Sequence, residues 1–126
     1  MESTLAPSLV SLDDIRAAAN RIRGVAVRTP LLDVRGLGLK CENFQPSGAF
    51  KIRGACNMLA QLGPDARRNG VITYSSGNHG LSVALVARTM GIHAVIVMPE
   101  GAPRVKVEHV REHGAEVIFA GTTSAD

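Results

Sequence analysis

The chain has no tryptophan, one tyrosine and three phenylalanines in 126 residues. That leaves no aromatic platform interleaved with basic side chains, the arrangement on which single-stranded nucleic acid stacks. Blocks of like charge are missing as well. The 14 basic and 11 acidic residues give a net charge of +3, but they are scattered, and among the basic residues only Arg67 and Arg68 stand side by side, with Asp65 close by. No footprint for a polyanion follows. The two cysteines, Cys41 and Cys56, form no CxxC pair and are too few and too far apart for a zinc knuckle. They read as small, buried thiols of a reducing cytosol. No apolar stretch approaches the ~20 residues of a membrane span. The opening MESTLAPSLV carries an acid and no basic segment, so no secretory signal is read. The chain is expected to be cytoplasmic, with neither nucleic acid nor membrane as a partner.

What is present is the composition of one ordinary globular domain, 45% hydrophobic and 20% charged. Ser11 and Asp14 form a capping box with the shorter acid, and Ile15, Ala18, Ala19 and Ile22 repeat at helical spacing, which predicts a helix over 12–23. An extended piece over 25–32 is broken by Thr29-Pro30, and 37–42 reads as a short strand. Residues 47–62 read as a helix with Ser47 as N-cap and Gly63-Pro64 as its stop. Strands at 71–74, 93–98 and 116–120 then alternate with helices at 78–90 and 103–113. Parallel strands need crossovers of about this length, so the pattern predicts an open α/β sheet. The closing GTTSAD stops just after a strand, where such a sheet would continue into a helix.

Three constellations could carry chemistry. Lys51, in SGAFKIRGA, falls in the first turn of its helix, where the positive end of the helix dipole disfavours an ammonium. Burial beside Phe50 and Ile52 would act the same way and prepare the amine to attack a carbonyl. By spacing alone, the same residue is more simply a surface lysine on an amphipathic helix. The second constellation is SSGNHG, residues 75–80, at the carboxyl end of a strand and the start of a helix. Ligands of open α/β sheets bind there, and Ser75, Ser76 and Gly77 would offer donors to an anion, although Ser and Asn also serve simply as turn residues. The dinucleotide fingerprint GxGxxG is absent, and Glu100 reads as a turn residue after Pro99 rather than a ribose ligand. The third is HVREH, residues 109–113, which spells HxxEH. His109 and His113 share a helix face, but histidines also suit a helix C-terminus and no third ligand is evident. No metal is expected, and a zinc hydrolase stands as the minor alternative.

Taken together, LKCENFQPSGAFKIRGA (39–55), SSGNHG and MPEGAPRVKVEHVREHGAEVIFAG (98–121) resemble the fold-type-II pyridoxal-phosphate enzymes. Within them the resemblance is to the threonine dehydratase and serine racemase family. It implies an open three-layer parallel sheet, incomplete here, with residues 1–45 belonging to a large cofactor domain and 46–126 to a truncated small α/β domain. The remainder of the large domain is expected to lie outside these residues. It implies pyridoxal 5'-phosphate as cofactor, Lys51 as the lysine that bonds its aldehyde, Phe50 packed nearby, and Asn78 contacting the ring hydroxyl. It implies a substrate carboxylate received by Ser75, Ser76, Gly77 and His79, with Ser76 as the second acid/base of the racemases. The expected reaction is dehydration and deamination, or racemisation, of a hydroxy amino acid such as serine or threonine. Homodimers or higher oligomers are the family's habit.

Departures accompany the matches. The family's glycine-rich phosphate cradle and the residue facing the pyridine nitrogen lie beyond Asp126, the link from Asp33 to Gly38 is shorter than usual, and Ala49 replaces a more frequent serine. Weak or no catalysis by these 126 residues alone is therefore expected. A non-catalytic α/β remnant or binding module is the alternative from another functional class.

Overall fold

The computed structural model describes residues 9–123. Residues 1–8, most of the stretch in which no secretory signal is read, and 124–126, the end of GTTSAD, lie outside the described residues. Ser11 opens α1 (Leu12–Arg21) with the expected capping box. Its hydroxyl accepts from the Asp14 amide at 3.1 Å, and its amide donates to the Asp14 carboxylate at 2.9 Å. The Ser11 hydroxyl and amide hold the Asp14 carboxyl below its ordinary range.

The expected extended piece over 25–32 takes a different form. The first strand follows the proline rather than preceding it, as β1 (Leu31–Val34), and pairs antiparallel with β2 (Leu37–Lys40), Val34 opposite Leu37. Two residues join them, Arg35 at φ 54° and Gly36 at φ 81°. Two successive left-handed residues give the turn whose twist matches a hairpin, and the Asp33 carboxylate accepts from the Gly36 amide at 3.1 Å. The shortened link thus makes a closed hairpin.

A single 3-10 turn (Glu42–Phe44) leads to α2 (Lys51–Ala60) and α3 (Pro64–Asn69). Gly63-Pro64 stops one helix, as expected, but also starts another, because proline at the first helical position lacks only an amide hydrogen that has no partner there. The chain then runs through β3 (Val71–Tyr74), α4 (Asn78–Met90), β4 (Ala94–Met98), α5 (Arg104–Glu112) and β5 (Glu116–Phe119), close to the predicted bounds.

The strands lie parallel in the order β3-β4-β5, with Val71 opposite Ala94 and Val95 opposite Glu116. Right-handed crossovers between consecutive neighbours put both connecting helices on one face. The alternation along β4 records this: Ala94, Ile96 and Met98 are buried, while Val95 and Val97 are half-buried. Ile72 and Ile118 are exposed on the other face. Of the three layers expected, two are therefore present among the described residues. The core lies between the sheet and its helices, around Ile52, Cys56, Val86, Ile96, Met98 and Val110. Each such side chain contributes about 1.5–3 kcal/mol by leaving water. Burial also raises the Cys56 thiol's pKa, which suits a packing residue rather than a nucleophile.

Candidate functional site

Lys51 is the first residue of α2, so it sits in the first turn as predicted, but Ser47 is not the cap. Phe50 occupies the cap position with no side-chain hydrogen bond. Ser47 is buried instead. Its hydroxyl donates to the Ala49 carbonyl at 3.2 Å and accepts from the Ser82 hydroxyl of α4 at 3.0 Å. A hydroxyl used in this way is not free to reach the helix amides. The expected burial of Lys51 is also absent from this chain. Lys51 is exposed, Phe50 is 59% exposed, and only Ile52 is buried. The Lys51 Nζ lies 5.3 Å from the centroid of the Phe50 ring, an exposed cation–π contact.

The two turns that frame Lys51 are fixed by polar contacts. Downstream, Arg53 makes a two-pronged bond to Glu42, Nε to Oε2 and Nη2 to Oε1, both at 2.8 Å. Thr29 donates to the same carboxylate at 2.5 Å, and Gln45 bridges Glu42 to the backbone of Val27. The Arg53 guanidinium and the Thr29 hydroxyl hold the Glu42 carboxyl down at about 2, and Glu42 raises Arg53 in return. This clasp ties the segment 27–45 to α2 two residues past Lys51. Upstream, the Ser82–Ser47–Ala49 hydroxyl chain ties the same turn to α4.

SSGNHG forms the turn from β3 into α4. The Ser75 amide still pairs with the Val97 carbonyl at 2.9 Å, and its side chain accepts from the Gly77 amide at 3.2 Å. Gly77 caps α4 without a side-chain hydrogen bond, which leaves the first-turn amides to an outside acceptor. Ser76 is half-buried and Asn78 is exposed. His79 is half-buried, with Nε2 3.1 Å from the Thr73 hydroxyl at the end of β3. Gly80 lets the helix lie against the sheet: a Cβ there would come within 2.9 Å of Ile96 and 3.1 Å of the Ser75 carbonyl.

Ser47 lies four residues before Lys51 and Ser82 four after Asn78, so their bond holds the amino ends of α2 and α4 together. Beside them runs a cleft of about 630 Å³. Phe50, Lys51, Thr73 and His79 line it, and Met58, Leu59, Leu62 and Ile72 continue it as an apolar channel. Of the residues singled out in the sequence, the structure brings Lys51, Phe50 and His79 to this cleft. Ser75, Ser76, Gly77 and Asn78 belong to the adjoining turn and are not among its walls. Thr73, Ser82, Gly80 and the Glu42–Arg53 clasp were not singled out. Glu42, Arg53 and Gly80 lie within motifs that could have flagged them, whereas Thr73 and Ser82 lie outside those motifs. His109 is exposed and His113 ends α5, and among the described residues no group of three or more His, Cys, Asp or Glu could hold a metal. No helix among them is long and apolar enough to cross a membrane.

An exposed lysine amine at the wall of a cleft of ligand size, which His79 of the uncapped α4 start also lines, fits a ligand that carries an aldehyde. Comparison with known proteins agrees. Residues 22–126 match the family model described as pyridoxal-phosphate dependent enzyme. The chain is 45% identical over 119 residues to a serine racemase of Schizosaccharomyces pombe, covering 88% of this chain and 37% of that protein. It is 43% identical to an L-threonine ammonia-lyase of Thermotoga maritima, covering 90% of this chain and 30% of that protein. Among solved structures, maize serine racemase superposes with a TM-score of 0.88 at 40% identity, over 94% of this chain and 39% of that one. The chain thus spans roughly two fifths or less of the length of these relatives. The match of family model, sequence and fold over most of its residues places the chain in the pyridoxal-phosphate-dependent enzyme family.

Proposed function

We propose that this chain carries the lysine-bearing half of a site for dehydrating and deaminating, or racemising, a hydroxy amino acid such as serine or threonine. The observation that carries the reading is the tie between Ser47 and Ser82, which joins the Lys51 turn to the SSGNHG helix. When bound, pyridoxal phosphate supplies an electron sink for the charge left by a departing α-proton. Lys51 provides the amine that bonds the cofactor's aldehyde, and once released it takes the α-proton at Nζ. Asn78 holds the ring hydroxyl through its side-chain amide. The amides and hydroxyls of Ser75, Ser76 and Gly77, with His79, receive the substrate carboxylate, and the helix start behind them favours that negative charge.

Ser76 decides the outcome in this reading. A proton delivered by its hydroxyl to the face opposite Lys51 gives racemisation, and departure of the β-hydroxyl without it gives elimination. Residues 1–45 form part of a large domain and 46–126 a small one. Dimerisation and a cytoplasmic location belong to the same proposal. This chain alone is expected to hold the cofactor weakly and to turn over slowly or not at all.

Titration of the chain with pyridoxal phosphate tests the lysine assignment. A new absorbance band should grow with the cofactor in the parent chain and be missing in Lys51→Ala. Identical spectra from the two proteins would reject the assignment.

A further inference from the structure

A buried hydroxyl chain reaches the backbone immediately before Lys51 from a helix that the lysine's own segment does not belong to. Ser82 is 0% exposed and stands in the second turn of α4 among Val83, Ala84 and Val86, a buried hydroxyl in apolar surroundings. Its hydroxyl donates to Ser47 Oγ at 3.0 Å. Ser47, 6% exposed, passes the interaction on by donating to the Ala49 carbonyl at 3.2 Å. Each hydroxyl has one hydrogen, and this direction uses both. The chain ends on a carbonyl whose own residue is 8% exposed and which lies two residues from Lys51.

The turn concerned has little else of its own to fix it. Gly48 is in the left-handed region at φ 69°, its amide bonds the Gln45 carbonyl at 2.7 Å, and α2 opens without a side-chain cap. From the other side, Arg53 is held on Glu42. The angle at which Lys51 leaves the helix start is therefore bracketed by the Arg53 clasp after it and the serine chain before it. Apolar packing through Ile52, Ala55 and Cys56 sets α2 against α4 as a body, and the serine chain adds a directional tie from the turn before Lys51 to α4, whose first turn carries Asn78 and His79.

We infer that Ser82, acting through Ser47, is a positioning residue that sets the Lys51 amine relative to the SSGNHG turn. The inference rests on the proposed role of Lys51. It predicts that Ser82→Ala keeps the fold but loosens the lysine. Burial without a partner is not imposed on any group by this change, because Ser47 still donates to Ala49, so stability should change little.

The test is competitive labelling. The full chain is incubated with limiting pyridoxal phosphate, reduced with borohydride, and the adduct is quantified at Lys51 against Lys40 and Lys106 in the same molecules. Ser82→Ala and Ser47→Ala should each lower the Lys51 share by roughly three- to tenfold, the range a single net hydrogen bond can account for. Their double variant should fall no further than Ser47→Ala alone, and the ratio of Lys40 to Lys106 labelling should be unchanged. Ser82→Cys, nearly isosteric with a weak donor, should recover part of the loss. An unchanged Lys51 share in folded Ser82→Ala and Ser47→Ala overturns the positioning role while leaving the lysine assignment intact. A parent chain that labels Lys51 no faster than Lys40 and Lys106 overturns both. Should Ser82→Ala fail to fold, Ser47→Ala and Ser82→Cys decide the matter by the same ratio.

Discussion

Gly80→Ala should destabilise the chain by about 1–2 kcal/mol and disorder the turn on which the proposed site depends, although alanine is the better helix former. In an open helix the exchange would gain about 1 kcal/mol. Here the added methyl would lie 2.9 Å from Ile96 Cγ2, 3.1 Å from the Ser75 carbonyl and 3.2 Å from Ser75 Cβ. Ile96 is fully buried in the central strand, and Ser75 is hydrogen bonded to β4 through its amide. Neither can withdraw freely. Overpacking of this kind costs about 1–3 kcal/mol, or more when backbone must shift. The cost outweighs the gain in helix propensity. Thermal unfolding should show a midpoint lower by about 4 °C for each kcal/mol lost. Affinity for pyridoxal phosphate should fall further than that stability loss accounts for, since clearing Ile96 shifts the first turn of α4, which carries Asn78 and His79. A variant as stable as the parent would mean that α4 does not lie as close to the sheet as described.

Arg53→Ala should lower stability by about 2–3 kcal/mol near neutral pH and remove much of the chain's acid sensitivity. Breaking a buried pair costs about 3–5 kcal/mol when the surviving charge has no other partner. Glu42 keeps Thr29 and Gln45 as donors, and the two side chains are 18% and 33% exposed, so the lower figure applies. The pH dependence follows from the depressed carboxyl. Glu42 titrates near 2 in the fold against an ordinary 4.5. Its contribution is therefore present above about pH 4.5 and is lost as the pH falls through 2. The full shift corresponds to about 3 kcal/mol, of which partial exposure to water leaves about half. Denaturant unfolding at pH 7, 4 and 3 should show the parent losing stability more steeply than Arg53→Ala. Parallel curves would remove the clasp from the account.

The alternation from Val71 onward was legible because each element carries its own signal. The β4 sequence AVIVM is apolar and β-branched, Gly91 and Gly114 follow their helices with φ of 66° and 78°, and Pro99 and Pro103 punctuate the loop between. Elements that depend on partners were read less well. The β1–β2 hairpin turns on Arg35-Gly36, and an arginine at φ 54° gives no warning of the turn that asparagine would announce. Ser47 stands where an N-cap is expected, but its hydroxyl is claimed by a serine 35 positions away. The exposure of Lys51 is also a property of the assembled chain and not of its neighbours in sequence, since Phe50 turns outward beside it. For the proposed site, residue types and motif order pointed to the lysine and the serine-glycine turn. The contacts that hold them together lie between motifs and could not be read from either one.

Amide NMR of the isotope-labelled chain titrated with pyridoxal phosphate tests most directly whether the Lys51 turn and the SSGNHG turn form one site. The account predicts shifts concentrated at Phe50, Lys51 and Ile52 together with Ser76, Gly77, Asn78 and His79, with the β1–β2 hairpin and Ile118 of β5 unmoved. Shifts confined to the hairpin or to Ile118 and Phe119, with both turns silent, would contradict it.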